Sequence, residues 1–363
     1  MKKKINFFYP KKTGLEIRLL KKALDGKFFN DGIITRKFEN KIKFLTNRKY
    51  AVCVTSGTTA LSIALLSNNI GAGDEVIIPS FTYIATANAV TFTGARVVLI
   101  DVSINNFILD IKKILNCINK NTKAIISVEV NGRSPNYEIL SKICKKKNIL
   151  LITDSTEALG SFFNSKPLGS FGDASCFSFS PSKIISTGQG GAVVTNNKKI
   201  YERIMLLKKQ GIRNGTGGND LHKNLGYNFK YTDIQASIGL AQLSHFKRRI
   251  KIFNYRNKIY LRCLKNIKNI IIPKSQDKCL NLWFDIMVTD LNKLKILKNE
   301  FNQRRIEYRS FWYPINKHTP YLSKKKFKIS NYIFKHCIWL PSNFDLNERK
   351  IKVICSIIKK TLS

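Results

Sequence analysis

Lys183 lies in the stretch FSFSPSKIISTGQGG, between a polar turn and a glycine-rich one, in a chain that carries many other lysines. A lysine held inside a site can lose its proton and attack a carbonyl carbon, forming a Schiff base. The stretch does not fit a Walker-type phosphate loop, because its glycines follow the lysine instead of preceding it. Lys183 is therefore a candidate nucleophile, and a solvated surface charge is the alternative.

A carboxylate and a predicted helix start supply the next candidates. Asp154 follows the apolar run NILLIT and begins DSTEALG, so it either caps a helix or holds the positive charge of a bound ring nitrogen. Ser56, Gly57 and Thr58 in TSGTTAL precede a predicted helix, whose free N–H groups can bind an anion. Simple helix capping is the alternative there as well.

The elements that must position these residues follow from short β-branched segments that alternate with helical patterns after residue 50. The predicted strands are AVCV, DEVIIP, ARVVLI, TKAIISV, ILLIT, ASCFSFS and GAVVT. Apolar segments of this length, separated by amphipathic helices, are typical of a mostly parallel sheet covered on both faces. The fold class is therefore α/β, and ligands of such sheets bind at the carboxyl ends of the strands.

The pattern changes after about residue 245 to a long basic helix, a strand in LWFDIMV and two further helices. This change predicts two domains: residues 1–245, a large α/β domain with an N-terminal segment, and residues 246–363, a small α+β domain. Neither a signal-peptide core nor a run of about 20 apolar residues occurs. We therefore expect a cytoplasmic protein that does not enter a membrane.

The formal net charge of +40 does not by itself identify a partner. Lysines are spread over the whole chain, whereas a nucleic-acid site needs a clustered basic surface, so no specific nucleic-acid partner is expected. Eight cysteines without a CxxC pair and four scattered histidines offer a metal ion few ligands. We therefore expect reduced, buried thiols and no metal site. The electrostatic field of the positively charged protein should attract an acidic small substrate.

Five motifs occur in the order and spacing of one enzyme family. They are TSGTTALSIAL, GDEVIIPSFTYIATANAV, DSTEALGS, FSFSPSKIISTGQGG and GYNFKYTDIQASIGLAQL. In these motifs the chain resembles the DegT/DnrJ/EryC1/StrS nucleotide-sugar aminotransferases, and RRIEYRSFWYPINKHTPY and IWLPS extend the resemblance into the small domain. The resemblance implies the aspartate aminotransferase-like (type I) fold of pyridoxal-phosphate-dependent transferases.

The resemblance also implies a role for each matched residue. Lys183 would bind pyridoxal 5′-phosphate covalently and move a proton between substrate and cofactor, while Asp154 would keep the pyridine nitrogen protonated. Tyr83 would stack on the cofactor ring, and Glu157 would lie near the ring hydroxyl. The residues that would hold the cofactor phosphate are Gly57, Thr58, Ser178 and, from the other subunit of a homodimer, Asn228.

The implied function is transfer of an amino group from L-glutamate to a keto carbon of a nucleotide-linked sugar, with pyridoxamine 5′-phosphate as the intermediate form of the cofactor. TANAVTFTGA resembles the perosamine synthases within the family, which favours a GDP-linked 4-keto-6-deoxy sugar and a role in amino-sugar and surface-polysaccharide biosynthesis, as in lipopolysaccharide O-antigen. Where relatives read PVHLYG and PLH, this chain has Glu129, Asn131 and Asn316. These segments lie near the sugar pocket in the family, so the departures leave the sugar open.

Three alternatives stay open. A pyridoxamine-dependent sugar dehydratase of the same fold has histidine in place of the lysine, so Lys183 argues against it. A regulatory member of the family would bind the cofactor without turnover, and loss of the cofactor's visible absorbance on adding glutamate would distinguish an enzyme from it. A basic nucleic-acid-binding protein would show steeply salt-dependent DNA binding.

Overall fold

The computed structural model describes residues 4–26, 29–212 and 221–362 of the 363-residue chain. None of the helices in these ranges is both long enough and apolar enough to cross a membrane. The strands are β1 (Tyr50–Val54), β2 (Glu75–Pro79), β3 (Arg96–Ile100), β4 (Thr122–Val128), β5 (Leu150–Asp154), β6 (Phe162–Phe163), β7 (Lys166–Pro167), β8 (Ala174–Ser178), β9 (Gly191–Thr195), β10 (Ile270–Ile271), β11 (Phe284–Val288), β12 (Arg309–Ser310) and β13 (Cys337–Leu340). The α-helices are α1 (Glu16–Leu24), α2 (Ile33–Leu45), α3 (Gly57–Leu66), α4 (Ile84–Phe92), α5 (Ile111–Ile114), α6 (Tyr137–Lys146), α7 (Lys198–Leu207), α8 (Asp233–Ser244), α9 (Phe246–Leu264), α10 (Leu291–Gln303), α11 (Lys328–His336) and α12 (Glu348–Leu362).

The large sheet contains seven strands in the order β1-β9-β8-β5-β4-β2-β3. Strand β9 runs antiparallel to both of its neighbours, and the other neighbouring pairs are parallel. Every residue of β2 and β9 is buried, and since successive side chains of a strand point to opposite faces, both faces of the sheet are covered. The predicted α/β class is confirmed, and all seven predicted strands belong to this sheet.

A second sheet, antiparallel throughout, has the strand order β10-β11-β13-β12. It shares a core with α9, α10 and α12, whose buried members run from Ile259 to Leu362. Helix α9 joins the two cores, because Phe246 and Phe253 pack with the large sheet and Tyr260 packs with the small one. The division of the chain between residues 245 and 246 stays a prediction.

The first described residues of the chain lie against the region of the second sheet. The N–H of Ile5 donates to the carbonyl of Arg305 at 3.0 Å, and the N–H of Ser342 donates to the carbonyl of Phe7 at 2.7 Å. Helices α1 and α2 then pack against α8. The N-terminal segment therefore spans both parts of the molecule.

The cysteines agree with the expectation of reduced thiols. All eight lie in the described ranges, and all eight are unpaired. The expected burial holds for Cys53, Cys144, Cys176, Cys337 and Cys355, whereas Cys117, Cys263 and Cys279 are only partly buried.

A buried lysine fixes helix α2 to the large sheet. Lys208 follows α7 and is fully buried; its Nζ lies 2.8 Å from Oδ1 of Asp31 and 3.7 Å from Oε1 of Glu39. Nζ also donates to the carbonyl of Cys53 in β1 at 3.3 Å. Burial lowers the pKa of Lys208, but Glu39 and Asp31 more than offset this effect, so the pKa is raised overall. The ammonium is therefore charged and satisfied in the interior.

We predict that Lys208→Met lowers the free energy of unfolding by about 3–5 kcal/mol, because it leaves the carboxylates of Asp31 and Glu39 without their buried partner. Chemical denaturation followed by circular dichroism measures the change. The matched control is Lys209→Met: this half-buried lysine pairs with the other oxygen of Asp31 at 2.9 Å, and its loss should cost no more than about 1 kcal/mol. Equal, small effects of both variants would contradict the prediction.

Candidate active site

A cavity of about 370 Å³ opens at the carboxyl ends of the parallel strands. Its walls come from the segments that follow β1, β2, β5 and β8, and the region of the second sheet contributes Trp283, Arg309 and Trp312. Seven of the eight predicted site residues line it: Gly57, Thr58, Tyr83, Asp154, Glu157, Ser178 and Lys183. The sequence candidates thus converge on one place, although they are up to 126 positions apart from Gly57 to Lys183.

A larger cavity, of about 850 Å³, lies at the amino ends of the parallel strands and is lined by residues such as Asp74, Leu150 and Asp173. It contains none of the predicted site residues. Open parallel sheets bind their ligands at the carboxyl ends of the strands. Chemistry and topology therefore both favour the smaller cavity as the candidate active site.

Lys183 and Glu157 form an ion pair at the bottom of this cavity. Nζ of Lys183 lies 3.2 Å from Oε1 of Glu157, and the two side chains are only 12% and 8% exposed. The same ammonium lies 5.5 Å from the centre of the Trp283 ring, within cation–π range. The Lys183 N–H donates to the carbonyl of Ser180 at 3.1 Å, which closes the predicted turn. The Lys183 side chain is therefore largely buried and is oriented by Glu157 and Trp283, so it is not a solvated surface charge.

Asp154 is the last residue of β5 and is 4% exposed. Its Oδ2 accepts a hydrogen bond from the Thr86 hydroxyl at 2.8 Å, and its Oδ1 accepts the N–H of Thr156 at 3.3 Å. Residues 156–160 form turns, and no helix begins at Asp154. The helix-cap alternative is thus not realised, and the carboxylate faces the cavity.

The N-terminus of α3 forms a polar wall of the cavity. Ser56 caps this helix through its Oγ, which accepts the N–H of Thr59 at 3.0 Å. The N–H groups of Gly57 and Thr58 belong to the first turn of α3, where backbone donors have no acceptor within the helix. They are therefore available to an anion. A Cβ on Gly57 would lie 2.9 Å from Cβ of Ser178, so a glycine lets the helix end approach the β8 strand end closely. Capping and anion binding are compatible at this site.

Tyr83 lines the cavity, whereas Asn228 lies outside it. Tyr83 precedes α4 at the rim of the cavity, is 57% exposed, and has its ring 6.1 Å from that of Trp312. Asn228 is exposed, pairs with Lys209 in an isolated bridge, and does not line the cavity within its own chain. Its predicted contact with the cofactor phosphate of a second subunit stays a prediction.

Sequence reasoning did not single out several residues of the cavity. They are Thr86, Gln189, Trp283, Arg309 and Trp312. Trp283 belongs to a strand-like apolar run, and the sequence pattern there indicates core packing and no contact with Lys183. Thr86 was accessible to sequence reasoning, since it follows Tyr83 by one helical turn and so shares its side of α4.

The departures from the family pattern lie in the interior. Glu129 follows β4 and is fully buried, and its Oε1 accepts a hydrogen bond from the Tyr137 hydroxyl. Burial raises the pKa of Glu129 to about 8, and the nearby charge of Asp154 adds to this effect. Glu129 is therefore mostly protonated at neutral pH and adds little negative charge next to Asp154. Asn131 and Asn316 are also buried, and none of the three lines the cavity.

Comparison with known proteins identifies relatives over the whole chain. The sequence profile of the DegT/DnrJ/EryC1/StrS aminotransferase family matches residues 10–359. GDP-perosamine synthase of Escherichia coli O157:H7 is 34% identical over 366 residues, which cover 99% of this chain and 99% of the relative.

Solved structures share the fold over the same length. PseC of Helicobacter pylori, an aminotransferase involved in the biosynthesis of pseudoaminic acid, superposes with a TM-score of 0.93 and 27% identity, covering 99% of both chains. Spr1654 of Streptococcus pneumoniae in its PLP form gives a TM-score of 0.92 and 25% identity over 99% of this chain and 98% of that one. The predicted family and fold are confirmed.

We predict that the stability of Glu129→Gln relative to the wild type increases as the pH rises from 4.5 towards about 8. Because the folded state raises the pKa of this carboxyl, its protonated form stabilises the fold below pH 4.5, and that contribution is lost towards pH 8. The variant keeps an acceptor for Tyr137 and has no such loss, so the difference in unfolding free energy should grow by about 1.4 kcal/mol per pH unit. Denaturation curves of both proteins across this window measure it, and a pH-independent difference would contradict the prediction.

Proposed function

This chain belongs to the DegT/DnrJ/EryC1/StrS aminotransferase family, and we propose that it transfers an amino group from L-glutamate to the keto carbon of a nucleotide-linked sugar, using pyridoxal 5′-phosphate. The acceptor we favour is a GDP-linked 4-keto-6-deoxy sugar, in line with GDP-perosamine synthase as a 34% identical relative over the full length. The observation that carries the proposal is the meeting of a largely buried lysine, a buried aspartate and a helix N-terminus in one cavity.

The cavity fits the three polar ends of pyridoxal phosphate. The cofactor has an aldehyde that reacts with an amine, a pyridine nitrogen that is basic, and a phosphate dianion. Lys183 supplies the amine, Asp154 supplies a carboxylate for the protonated nitrogen, and the start of α3 supplies N–H donors for the phosphate. Gly57 has no Cβ, which lets the start of α3 lie directly against Ser178, so the helix N–H groups and the Ser178 side chain can face the same ligand.

When bound, the cofactor supplies an electron sink for the carbon that gains or loses the amino group. Lys183 would hold the cofactor and would carry the proton to and from that carbon, and Glu157, which pairs with the Lys183 amine, would orient it. Asp154 would face the ring nitrogen of the bound cofactor, and the hydrogen bonds from the Thr86 hydroxyl and the Thr156 N–H fix the orientation of its carboxylate. Tyr83 offers an exposed aromatic face at the rim for ring stacking.

Arg309 offers a cation to the acidic substrates. It lines the cavity beside Trp312, and its guanidinium lies 4.8 Å from the centre of the Phe7 ring, which steadies the side chain without using its hydrogen-bond donors on a carboxylate. A diphosphate or a glutamate carboxylate can pair with such a group. The net charge of +40 adds a long-range attraction for both.

The proposal is tested by separating the two halves of the reaction. Glutamate should abolish the visible absorbance of the protein loaded with pyridoxal phosphate, and a keto nucleotide sugar should restore it while yielding an amino sugar detectable by mass spectrometry. A panel of GDP-, dTDP- and UDP-linked keto sugars identifies the acceptor. A spectrum that glutamate does not change would favour a regulatory protein that binds the cofactor without turnover.

We predict that Lys183→Ala abolishes turnover, because one side chain provides both the covalent attachment and the proton carrier. The loaded wild-type protein in the glutamate assay is the reference. The control is Lys199→Ala, which removes an exposed lysine of α7 and should leave the rate unchanged. Near-normal transamination by the Lys183→Ala variant would refute the assignment.

We also propose that two copies of the chain share their active sites. Asn228 is flanked by Tyr227 and Phe229, whose rings stack at 5.0 Å, and the half-exposed Phe92 lies 5.7 Å from Tyr227. Phe92 is exposed and Tyr227 and Phe229 are partly exposed, and an aromatic cluster at the surface is typical of a protein–protein interface. Asn228 is exposed, lies beside these rings and does not line the cavity of its own chain, which supports a role for it in the site of a second copy.

We predict that mixing Lys183→Ala chains with Asn228→Asp chains restores activity after subunit exchange. Asn228→Asp sets a carboxylate against the cofactor phosphate and should impair the enzyme by itself. In a heterodimer one site collects both defects and the other has neither, so the activity should approach about half of the wild-type value. Each variant taken alone through the same exchange is the control. No recovery in a sample that mass spectrometry shows to contain heterodimers would contradict the shared site.

A further inference from the structure

Asn131 lies at the turn that follows β4 and has no exposed surface. Its backbone is in the left-handed region, with φ at 55°, where asparagine and glycine are the favoured residues. A buried side-chain amide needs partners for its oxygen and its nitrogen, since an unpaired polar group in the interior is costly. The partners of Asn131 therefore show what the residue is for.

The side-chain amide of Asn131 binds the main chain of Trp283 on both sides. Its Oδ1 accepts the N–H of Trp283 at 2.8 Å, and its Nδ2 donates to the carbonyl of the same residue. The side chain thus pairs with Trp283 as a neighbouring strand would, and it fixes the position of a residue whose ring lies against Lys183. Nδ2 also contacts Oδ1 of Asp285 at 3.2 Å.

The main chain of Asn131 binds the other partner of Lys183. Its N–H donates to Oε2 of Glu157 at 2.9 Å, while Oε1 of the same carboxylate pairs with Lys183. Asn131 therefore holds both groups that contact the Lys183 ammonium, Trp283 through its side chain and Glu157 through its backbone. It does so without lining the cavity itself.

A buried ion pair keeps this arrangement in place. Asp285, which accepts from Asn131, pairs with Arg133 at 2.8 Å, and the two side chains are 2% and 1% exposed. Arg133 also donates from Nε to the carbonyl of Asn106 at 2.8 Å. The turn from Asn131 to Arg133 is thus fastened to β11 by two side chains, so its geometry is well defined.

We propose that Asn131 is a positioning residue of the active site, which orients Trp283 and Glu157 around the Lys183 amine so that the amine reaches the carbonyl carbon of the cofactor. This inference rests on the proposed function. In this chain a buried amide takes the place of the aromatic residue of the family motif, and it acts through hydrogen bonds to the second-sheet region.

The test is Asn131→Gly, which tolerates the left-handed backbone and keeps the N–H for Glu157 but removes the amide that holds Trp283. Apo protein is mixed with pyridoxal phosphate, and covalent attachment at Lys183 is followed by borohydride reduction and mass spectrometry. We expect attachment to slow by about 10- to 100-fold, because a displaced neighbour misaligns the amine. Binding of pyridoxamine phosphate, which needs no covalent bond, should stay unchanged.

Three further variants sharpen the result. Asn148→Gly makes the same substitution at an exposed asparagine with φ at 50° and should attach the cofactor at the wild-type rate. Trp283→Leu should slow attachment similarly, and Asn131→Gly should add little to it if Asn131 acts through Trp283. If Asn131→Gly does not fold, Asn131→Asp replaces it: this variant keeps the acceptor for the Trp283 N–H but repels the Trp283 carbonyl.

Wild-type rates of attachment in Asn131→Gly would overturn the positioning role while leaving the proposed function intact. A parallel loss of pyridoxamine phosphate binding and of melting temperature would also overturn it, because it would show a merely structural role. If the wild-type protein itself forms no bond between Lys183 and pyridoxal phosphate, the proposed function fails instead. The two failures are therefore distinguishable.

Discussion

The candidate active site depends on holding three ionisable side chains where little of their surface is exposed to solvent. Lys183, Asp154 and Glu157 are each nearly buried at the carboxyl edge of the sheet, and a buried charge without a partner destabilises a protein by several kcal/mol, on the order of 3–5. Each of them has such partners: the amine has a carboxylate and an aromatic face, and the two carboxylates have hydroxyl and N–H donors. The same partners restrict the direction in which each group points, so the means of tolerating the charges also preorganises the site.

Close backbone packing brings the polar end of α3 into this site. A Cβ on Gly191 would lie 2.2 Å from the carbonyl of Ser56, and one on Gly57 would meet Ser178. Only glycine allows β1, β8 and β9 to approach each other this closely where the helix begins. The helix N-terminus, Ser178 and the Lys183 turn consequently line the same cavity.

The second-sheet region completes the site from the other side. Trp283, Arg309 and Trp312 come from this region and close a cavity that the large sheet alone would leave open. The region is held by α9, which belongs to both cores, by the N-terminal segment, and by Asp101, which accepts the N–H and hydroxyl of Ser330 at the start of α11. Differences in substrate among relatives of one fold can therefore arise from this side without disturbing the lysine and aspartate.

The sequence alone determined the α/β class, the seven strands of the large sheet and the candidates Gly57, Thr58, Asp154 and Lys183, because these depend on local signals: β-branched runs, turn glycines and polar residues at strand ends. Tyr83, Glu157 and Ser178 were predicted only through the resemblance of whole motifs to the family. The sequence left Asp154 between a cap and a ligand, and the tertiary structure decided this, since no helix begins there. No sequence pattern around Trp283 or Arg309 predicts that they line the cavity. They reach it only because the second sheet packs over the first. Burial raises the pKa of Glu129, and Asn131 binds the main chain of Trp283 through its side-chain amide. Both properties result from contacts between residues far apart in the chain, and no pattern of neighbouring residues encodes them.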